Sequence, residues 1–171
     1  MLPRLSTTDW AVLVALLEQE SHGFRIAGLF APGGELSEIW RVQRTQVYRA
    51  LEHLEASGLV TAVRQEEGEA GPPRTLFAAT ELGRAAAYHW LHAPVTRLRS
   101  ARSDLRLKIA FLMRLELDHK ALLRDQQRVY QQILQDLTAQ RPGEGIRAVS
   151  WLWRLEMAKA SLRFVEQLLG K

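Results

Sequence analysis

Between Trp40 and Val60, apolar residues recur at spacings of three and four: Val47, Ala50, Leu51 and Leu54. That spacing lays them along one side of an α-helix. At about 100° per residue, Thr45, Arg49, Glu52 and Ala56 fall on the opposite side, with Gln46, Tyr48 and His53 on its flanks. Ser57-Gly58 ends this helix, because glycine is the usual residue for a left-handed C-terminal cap. Leu59-Val60-Thr61-Ala62-Val63 follows at once and predicts a short strand. The helix thus has an apolar back and a front of Thr, Gln, Tyr and Arg, with no acid between Glu38 and Glu52. Hydroxyl, amide and guanidinium groups are the chemistries that pair with base edges and phosphates.

The segments before and after fit the same plan. Ser6 caps a first helix and Asp9, three residues on, reaches back to it; Trp10, Leu13, Val14 and Leu17 form the predicted buried stripe. Ser21-His22-Gly23 predicts a turn that caps a second helix, Phe24 to Phe30, with Ile26, Ala27 and Phe30 apolar. Ala31-Pro32-Gly33-Gly34 stops it, and Leu36, Ile39 and Trp40 pack ahead of the third helix. Gln65 to Pro73 reads as a polar turn rich in Gly and Pro, and Arg74 to Ala79 as the return strand of a hairpin. Thr80 caps a helix through Leu82, Ala86, Trp90 and Leu91, which Pro94 closes. A helix of this kind running straight into a strand looks like the recognition helix and first wing strand of a winged helix-turn-helix; taken by itself, it is equally an ordinary amphipathic helix with a solvated outer face.

Everything after Pro94 predicts helix. Leu105, Leu107, Ile109, Phe111 and Leu112 make a broad apolar surface. Leu122, Val129, Ile133 and Leu137 make a narrow seam in a segment dense with Gln, Arg and Asp. Arg141-Pro142-Gly143 breaks the chain, and Ile146, Val149, Leu152, Trp153, Leu162, Val165 and Leu169 mark one long stripe on a last helix. Such helices imply a bundle or an intermolecular coiled coil. The predicted fold class is mainly α with a small β-hairpin: a winged helix-turn-helix over residues 1–92 and a C-terminal helical dimerisation domain over 93–171.

Composition changes this picture in one respect. The 171 residues are 47% hydrophobic and 25% charged, as in an ordinary globular protein. The net charge is +4, but residues 1–92 hold 8 Lys/Arg against 11 Asp/Glu, and residues 93–171 hold 15 against 8. The first half is therefore acidic by 3, and DNA affinity has to come from a local patch: Arg41, Arg44, Arg49, Arg64 and Arg74. The absence of cysteine excludes disulfides and thiolate zinc sites and fits a reducing cytoplasm. No run approaches the length of a membrane span, and Met1-Leu2-Pro3-Arg4 is too short for a signal peptide, so no membrane partner is expected.

The order of pieces resembles the PadR family of transcriptional regulators. The matching residues are Leu5-Ser6, Ser21-His22-Gly23-Phe24, Val47-Tyr48-Arg49-Ala50-Leu51, Leu54-Glu55, Ser57-Gly58-Leu59-Val60, Thr80-Glu81-Leu82-Gly83-Arg84 and Trp90-Leu91. The resemblance implies a cytoplasmic homodimer, a repressor on an inverted repeat of double-stranded DNA, held together by its C-terminal helices and released by a small aromatic effector. By position it implies that Gln43, Arg44, Thr45, Gln46, Tyr48 and Arg49 face the major groove. His22 and Arg25 would then lie near the DNA backbone, and Arg64 and Arg74 on the wing. Two departures stand out: Phe77 replaces the family's common Tyr, and Glu66, Glu67 and Glu69 make the wing tip acidic.

For the effector, Trp90, Arg97, Phe111, Tyr130, Trp151 and Trp153 are the candidate lining residues, with Phe164, Arg99 and Arg102 nearby in sequence. Aromatics at helical spacing also make ordinary core. His89 and His92, spaced i, i+3, lack a Cys or acid pair, so no metal and no cofactor is expected. No phosphate loop, dinucleotide fingerprint or nucleophile elbow occurs, and no residue set supports an enzyme. The competing class is a winged-helix module that binds a partner protein, which the acidic first half keeps open.

Overall fold

Ala11 through Leu16 are all buried, a run too continuous for a helix with one wet face. In the computed structural model, which describes residues 4–68, 71–140 and 142–170, they belong to α1 (Thr7–Glu18). The expected stripe is therefore incomplete. Trp10 and Leu17 are only half-buried, while Ala11, Val12, Ala15 and Leu16 join Leu13 and Val14 inside. A helix apolar all round sits at a centre, and α1 packs against α3 (Arg44–Ala56) and β3 (Gly71–Ala79). The capping box is present: Asp9 N–H donates to Ser6 Oγ at 3.1 Å, and Ser6 N–H donates to Asp9 Oδ2 at 2.8 Å.

Ser21-His22 is more than the expected turn. It forms β1, whose residues pair antiparallel with Phe77 and Leu76 of β3. Between β1 and α3 lie α2 (Gly23–Phe30) and a turn-rich segment pinned by Leu36, which is buried. Trp40 donates from Nε1 to Thr8 Oγ1 at 3.4 Å, tying the start of α3 back to α1. The sheet order is β1-β3-β2, with β2 spanning Val60–Gly68. The hairpin is longer than the sequence pattern implied. Gln65 pairs with Thr75 and Glu66 with Arg74, so the polar stretch is ladder rather than turn. Backbone hydrogen bonds do not depend on side-chain polarity, so an outward-facing strand can be wholly polar. The register slips at Val63 and again near Pro72-Pro73, which lack the N–H a ladder needs. The Glu69-Ala70 tip lies outside the described residues, as do Met1-Leu2-Pro3 and Arg141.

The helix α4 (Glu81–His92) is set by close backbone approach. Thr80 N–H donates to Leu59 O at 3.0 Å and its hydroxyl to Gly58 O at 2.8 Å; Gly83 N–H donates to Thr80 Oγ1 at 3.0 Å. Any Cβ on Gly83 would collide with Leu59 O. Leu82, expected inside, is exposed in the first turn; Gly83, Ala86, Ala87 and Leu91 face inward. Trp90 stacks on Trp10 with ring centroids 5.5 Å apart.

The chain divides into two compact units, Met1–Leu91 and His92–Lys171. The second begins with an extended strap. Gln126, fully buried, accepts from Val95 N–H at 2.7 Å and donates to Val95 O at 2.9 Å. Lys108 Nζ donates to Ala93 O at 2.6 Å. A 3₁₀ turn (Leu98–Ala101) leads to α5 (Asp104–Arg114), α6 (His119–Ala139) and α7 (Ile146–Leu168). The apolar residues predicted on α5 are all buried. On α6 the seam is Leu122, Leu123, Gln126, Tyr130 and Leu137; Val129 is only half-buried. The α6–α7 hairpin is closed by Leu137, Leu155 and Ala158, with Leu98, Ile133, Leu134 and Trp151 against them. Among the described residues no helix is long and apolar enough to cross a membrane.

Helix α7 overturns the single stripe. Leu155, Ala158, Ser161 and Val165 are buried, while Ile146, Val149, Leu152 and Trp153 are exposed, Ile146 by 88% and Trp153 by 68%. Apolar residues here occupy two faces, because spacings of three and four can be strung together through either set.

Candidate functional site

The back of α3 is fixed by burial of Val47, Ala50, Leu51 and Leu54. It is fixed also by a polar link, His53 Nδ1 to Asp9 Oδ2 at 3.2 Å, which uses the carboxylate that caps α1. Its front is open: Arg44, Thr45, Gln46, Tyr48 and Arg49 are all exposed. Neither Arg44 nor Arg49 is held by a carboxylate among the described residues. Gln43 N–H donates to Gln46 Oε1 at 2.9 Å. The Gln46 carbonyl is thus committed to capping the helix, and its amide N–H groups are what remain to face a ligand. In this rotamer Gln46 can donate to guanine or thymine acceptors but cannot make the two-way pair with adenine.

The N-terminus of α2 adds what the sequence pattern did not single out. Phe24 is 50% exposed, an unusual position for phenylalanine. The Arg44 guanidinium lies 5.0 Å from its ring centroid and that of Arg74 lies 5.2 Å from it. Arg44 is also 5.8 Å from the Tyr48 ring. One aromatic ring therefore gathers a cation from the first turn of α3 and another from the wing. No periodicity connects three separate elements, so the sequence carried no signal for this cluster. Gly23 completes the arrangement, since a Cβ there would stand 2.8 Å from Tyr48 Cε1. His22 caps α2, its Nδ1 accepting from Arg25 N–H at 3.1 Å, which puts the neutral ring's proton on Nε2. Arg25 is exposed and donates to Gln19 Oε1 at 3.2 Å.

The wing arginines part company. Arg64 is engaged by Glu20 at 2.6 Å and Glu66 at 3.5 Å. Its charge is therefore largely offset within the protein, unlike that of Arg74. The structure thus brings Gln43, Arg44, Thr45, Gln46, Tyr48, Arg49 and Arg74 to one polar, basic surface. His22 and Arg25 sit at its α2 edge and Arg64 is tied to acids.

The aromatic candidates fall in different surroundings. Phe111 and Tyr130 are fully buried in the second unit, and burial pushes the Tyr130 phenol above its ordinary range. Trp151 packs on the α6–α7 core and donates from Nε1 to Leu137 O at 2.9 Å, closing the end of α6. Trp153, two residues on, is about 200° round the helix and exposed. Arg97 is exposed ahead of the 3₁₀ turn, and Trp90 belongs to the first unit, against Trp10.

Over 94 residues the chain is 29% identical to the probable transcriptional regulator Rv1176c of Mycobacterium tuberculosis, covering 55% of this chain and 48% of that one. The match spans about half the length of that relative. In structure the chain is similar to Bacillus subtilis PadR in complex with operator DNA, at 21% identity and a TM-score of 0.49, covering 98% of this chain and 99% of that one. It is similar also to Bacillus subtilis PadR in complex with p-coumaric acid, at 22% identity and a TM-score of 0.42, covering 95% and 93%. Residues 12–89, from within α1 to within α4, match the transcriptional regulator PadR-like family. The buried face of α3, the β2–β3 hairpin and the exposed polar front of α3 all lie in that stretch, so it is this part of the chain that is similar to the transcriptional regulator PadR-like family.

Proposed function

We propose that this protein is a transcriptional regulator of the PadR-like kind, a cytoplasmic repressor that binds double-stranded DNA as a homodimer, inserting α3 of each protomer into the major groove of an inverted repeat, and that a small amphipathic molecule releases it. The observation that supports DNA reading is the acid-free front of the first two turns of α3, with Arg44 and Arg74 converging on Phe24. Thr45, Gln46 and Arg49 meet base edges; Arg44, Arg74, Arg25 and the His22 edge meet phosphates. The homodimer is supported by the second apolar face of α7. Ile146, Met157 and Leu168 recur every 11 residues, as do Val149 with Ala160 and Trp153 with Phe164. That period keeps one face aligned along a nearly straight helix. An exposed apolar stripe of this length marks an interface, and a two-fold contact through it matches an inverted repeat.

A gel-shift on the DNA upstream of the protein's own gene tests the reading. The expected result is a salt-sensitive shift with a modest slope, because log affinity falls with log salt by about 0.9 per phosphate neutralised and each head offers few free cations. No shift at any salt would turn attention to the second reading, a partner-protein module, which the net acidity of residues 1–92 favours.

A further inference from the structure

Beside the front of α3 lies an open groove of about 680 Å³, bounded by α2 and the segment leading into α3. Its floor is apolar, from Ala27, Phe30 and Val42, and Phe24 forms one wall. Arg41 and Arg44 stand on its rim, and no Asp or Glu is among the lining residues. Arg41 is exposed, and no carboxylate is recorded against it among the described residues. Gly28 also borders the groove, and a Cβ there would meet nothing within 4 Å.

We propose that this groove is a ligand site for a small amphipathic anion, an apolar body carrying a carboxylate, and that its occupant competes directly with DNA. The apolar floor removes hydrocarbon from water, and the two guanidinium groups select the charge, since a carboxylate matches the guanidinium fork and an ammonium is repelled by it. Arg44 and Gln46 belong both to this groove and to the DNA-facing front of α3. An anion on Arg44 draws the guanidinium off Phe24 and cancels its charge where a phosphate would lie. Release is then local to the reading head and needs no signal carried from the second unit. This rests on the DNA-reading proposal, but the site and its consequence are separable by measurement.

The probe is decanoate, with decanol and decylamine as neutral and cationic controls, titrated calorimetrically into the full chain. Expected are decanoate binding at least tenfold tighter than either control, and at least tenfold loss of it in both Gly28→Leu and Arg41→Gln. Leucine fits the open space at position 28 and favours helix more than glycine does, so circular dichroism of Gly28→Leu stays as wild type. Decanoate should also lower wild-type affinity for the upstream DNA at least tenfold, and leave the affinity of Gly28→Leu within twofold. Equal decanoate binding by wild type and Gly28→Leu overturns the site, as does a failure of wild type to bind decanoate in preference to the controls. A folded Gly28→Leu that no longer binds DNA also overturns it, because the groove would then hold the DNA backbone. Groove-dependent decanoate binding by a chain that shifts no DNA supports the site while overturning competition, and it is then the DNA-reading proposal that has failed.

Discussion

Arg49 and Phe24 illustrate two ways in which a single side chain would serve the proposed DNA-reading surface. Arg49 is exposed on α3 and held by no carboxylate among the described residues, so its guanidinium is available for a bidentate base or phosphate contact. Arg49→Ala is expected to cost on the order of 1–3 kcal/mol of DNA affinity, the range for one good base contact, with circular dichroism unchanged. Wild-type affinity in that variant would remove α3 from the interface. Phe24 holds two guanidinium groups against its ring. Two exposed cation–π contacts at about 0.5–1 kcal/mol each set the scale, so Phe24→Ala is expected to weaken DNA binding about five- to thirtyfold, while Phe24→Tyr keeps most of it. Equal loss in both would mean that Phe24 acts by fit against the groove rather than by holding Arg44 and Arg74. Lys108 gives a different test, in stability. Burial lowers its amine from 10.5 to about 8, against the raising influence of Asp104. Between those values the unfolded chain holds a proton that the folded chain has lost, so stability rises with pH. Above the ordinary tyrosine value of 10.0 Tyr130 works the other way, staying protonated when folded and ionising when unfolded. Urea unfolding from pH 8 to 10 should therefore show a rise that Lys108→Met abolishes; an unchanged rise would clear Lys108 of responsibility.

At the scale of elements, the reading head is assembled by backbone contacts at helix ends. Gly58 has φ +69°, which lets α3 turn sharply into β2. The two carbonyls that follow, of Gly58 and Leu59, then receive Thr80 at the start of α4. Gly83 exists for that approach, and Gly83→Ala is expected to cost more than 2 kcal/mol of stability, since overpacking commonly costs about 1–3 and here the obstacle is backbone. A thermal midpoint within a degree or two of wild type would show that α4 can slide away freely. The same region separates what a pattern can reveal from what it cannot. The apolar positions of α3 were legible, because spacing alone fixes one face of a helix. The burial of Ala11, Val12 and Ala15 was not, because it depends on α3 and β3 closing round α1 from different directions. Nor was β1 legible: two residues carry no periodicity, and only the partner strand makes them a strand.

For the whole molecule, charge and hydrophobicity are divided unevenly along the chain. The first 92 residues are acidic by 3 yet present a basic front, since Arg64 is offset by Glu20 and Glu66 while Arg44, Arg49 and Arg74 are left outward. The second unit carries the basic excess together with the exposed apolar face of α7. If that face is the two-fold contact, Trp153→Asp combined with Val149→Asp should convert a dimer to a monomer in sedimentation velocity while leaving the buried α6–α7 contact and the helical signal intact. DNA affinity should fall with it by about 10²–10⁴, the gain from tethering two heads. A double variant that still sediments as a dimer would move the contact elsewhere, and a wild-type monomer at micromolar concentration would end the homodimer proposal.

The sequence by itself determined the order of the helices and of the β2–β3 hairpin, the capping of α1 and α4, the buried face of α3 and the polar front that faces away from it. These follow from local rules: helical period, cap chemistry and the conformational freedom of glycine at Gly58. Tertiary structure alone decided which arginines are free and which are paired, because Glu20 and Arg64 meet across 44 positions of chain. It alone brought Phe24, Arg44 and Arg74 together, and it alone split the apolar residues of α7 between a buried face and an exposed one. Charge pairing and face selection depend on which surfaces meet in space, and one-dimensional spacing carries the period of a helix but not the direction from which its neighbour arrives.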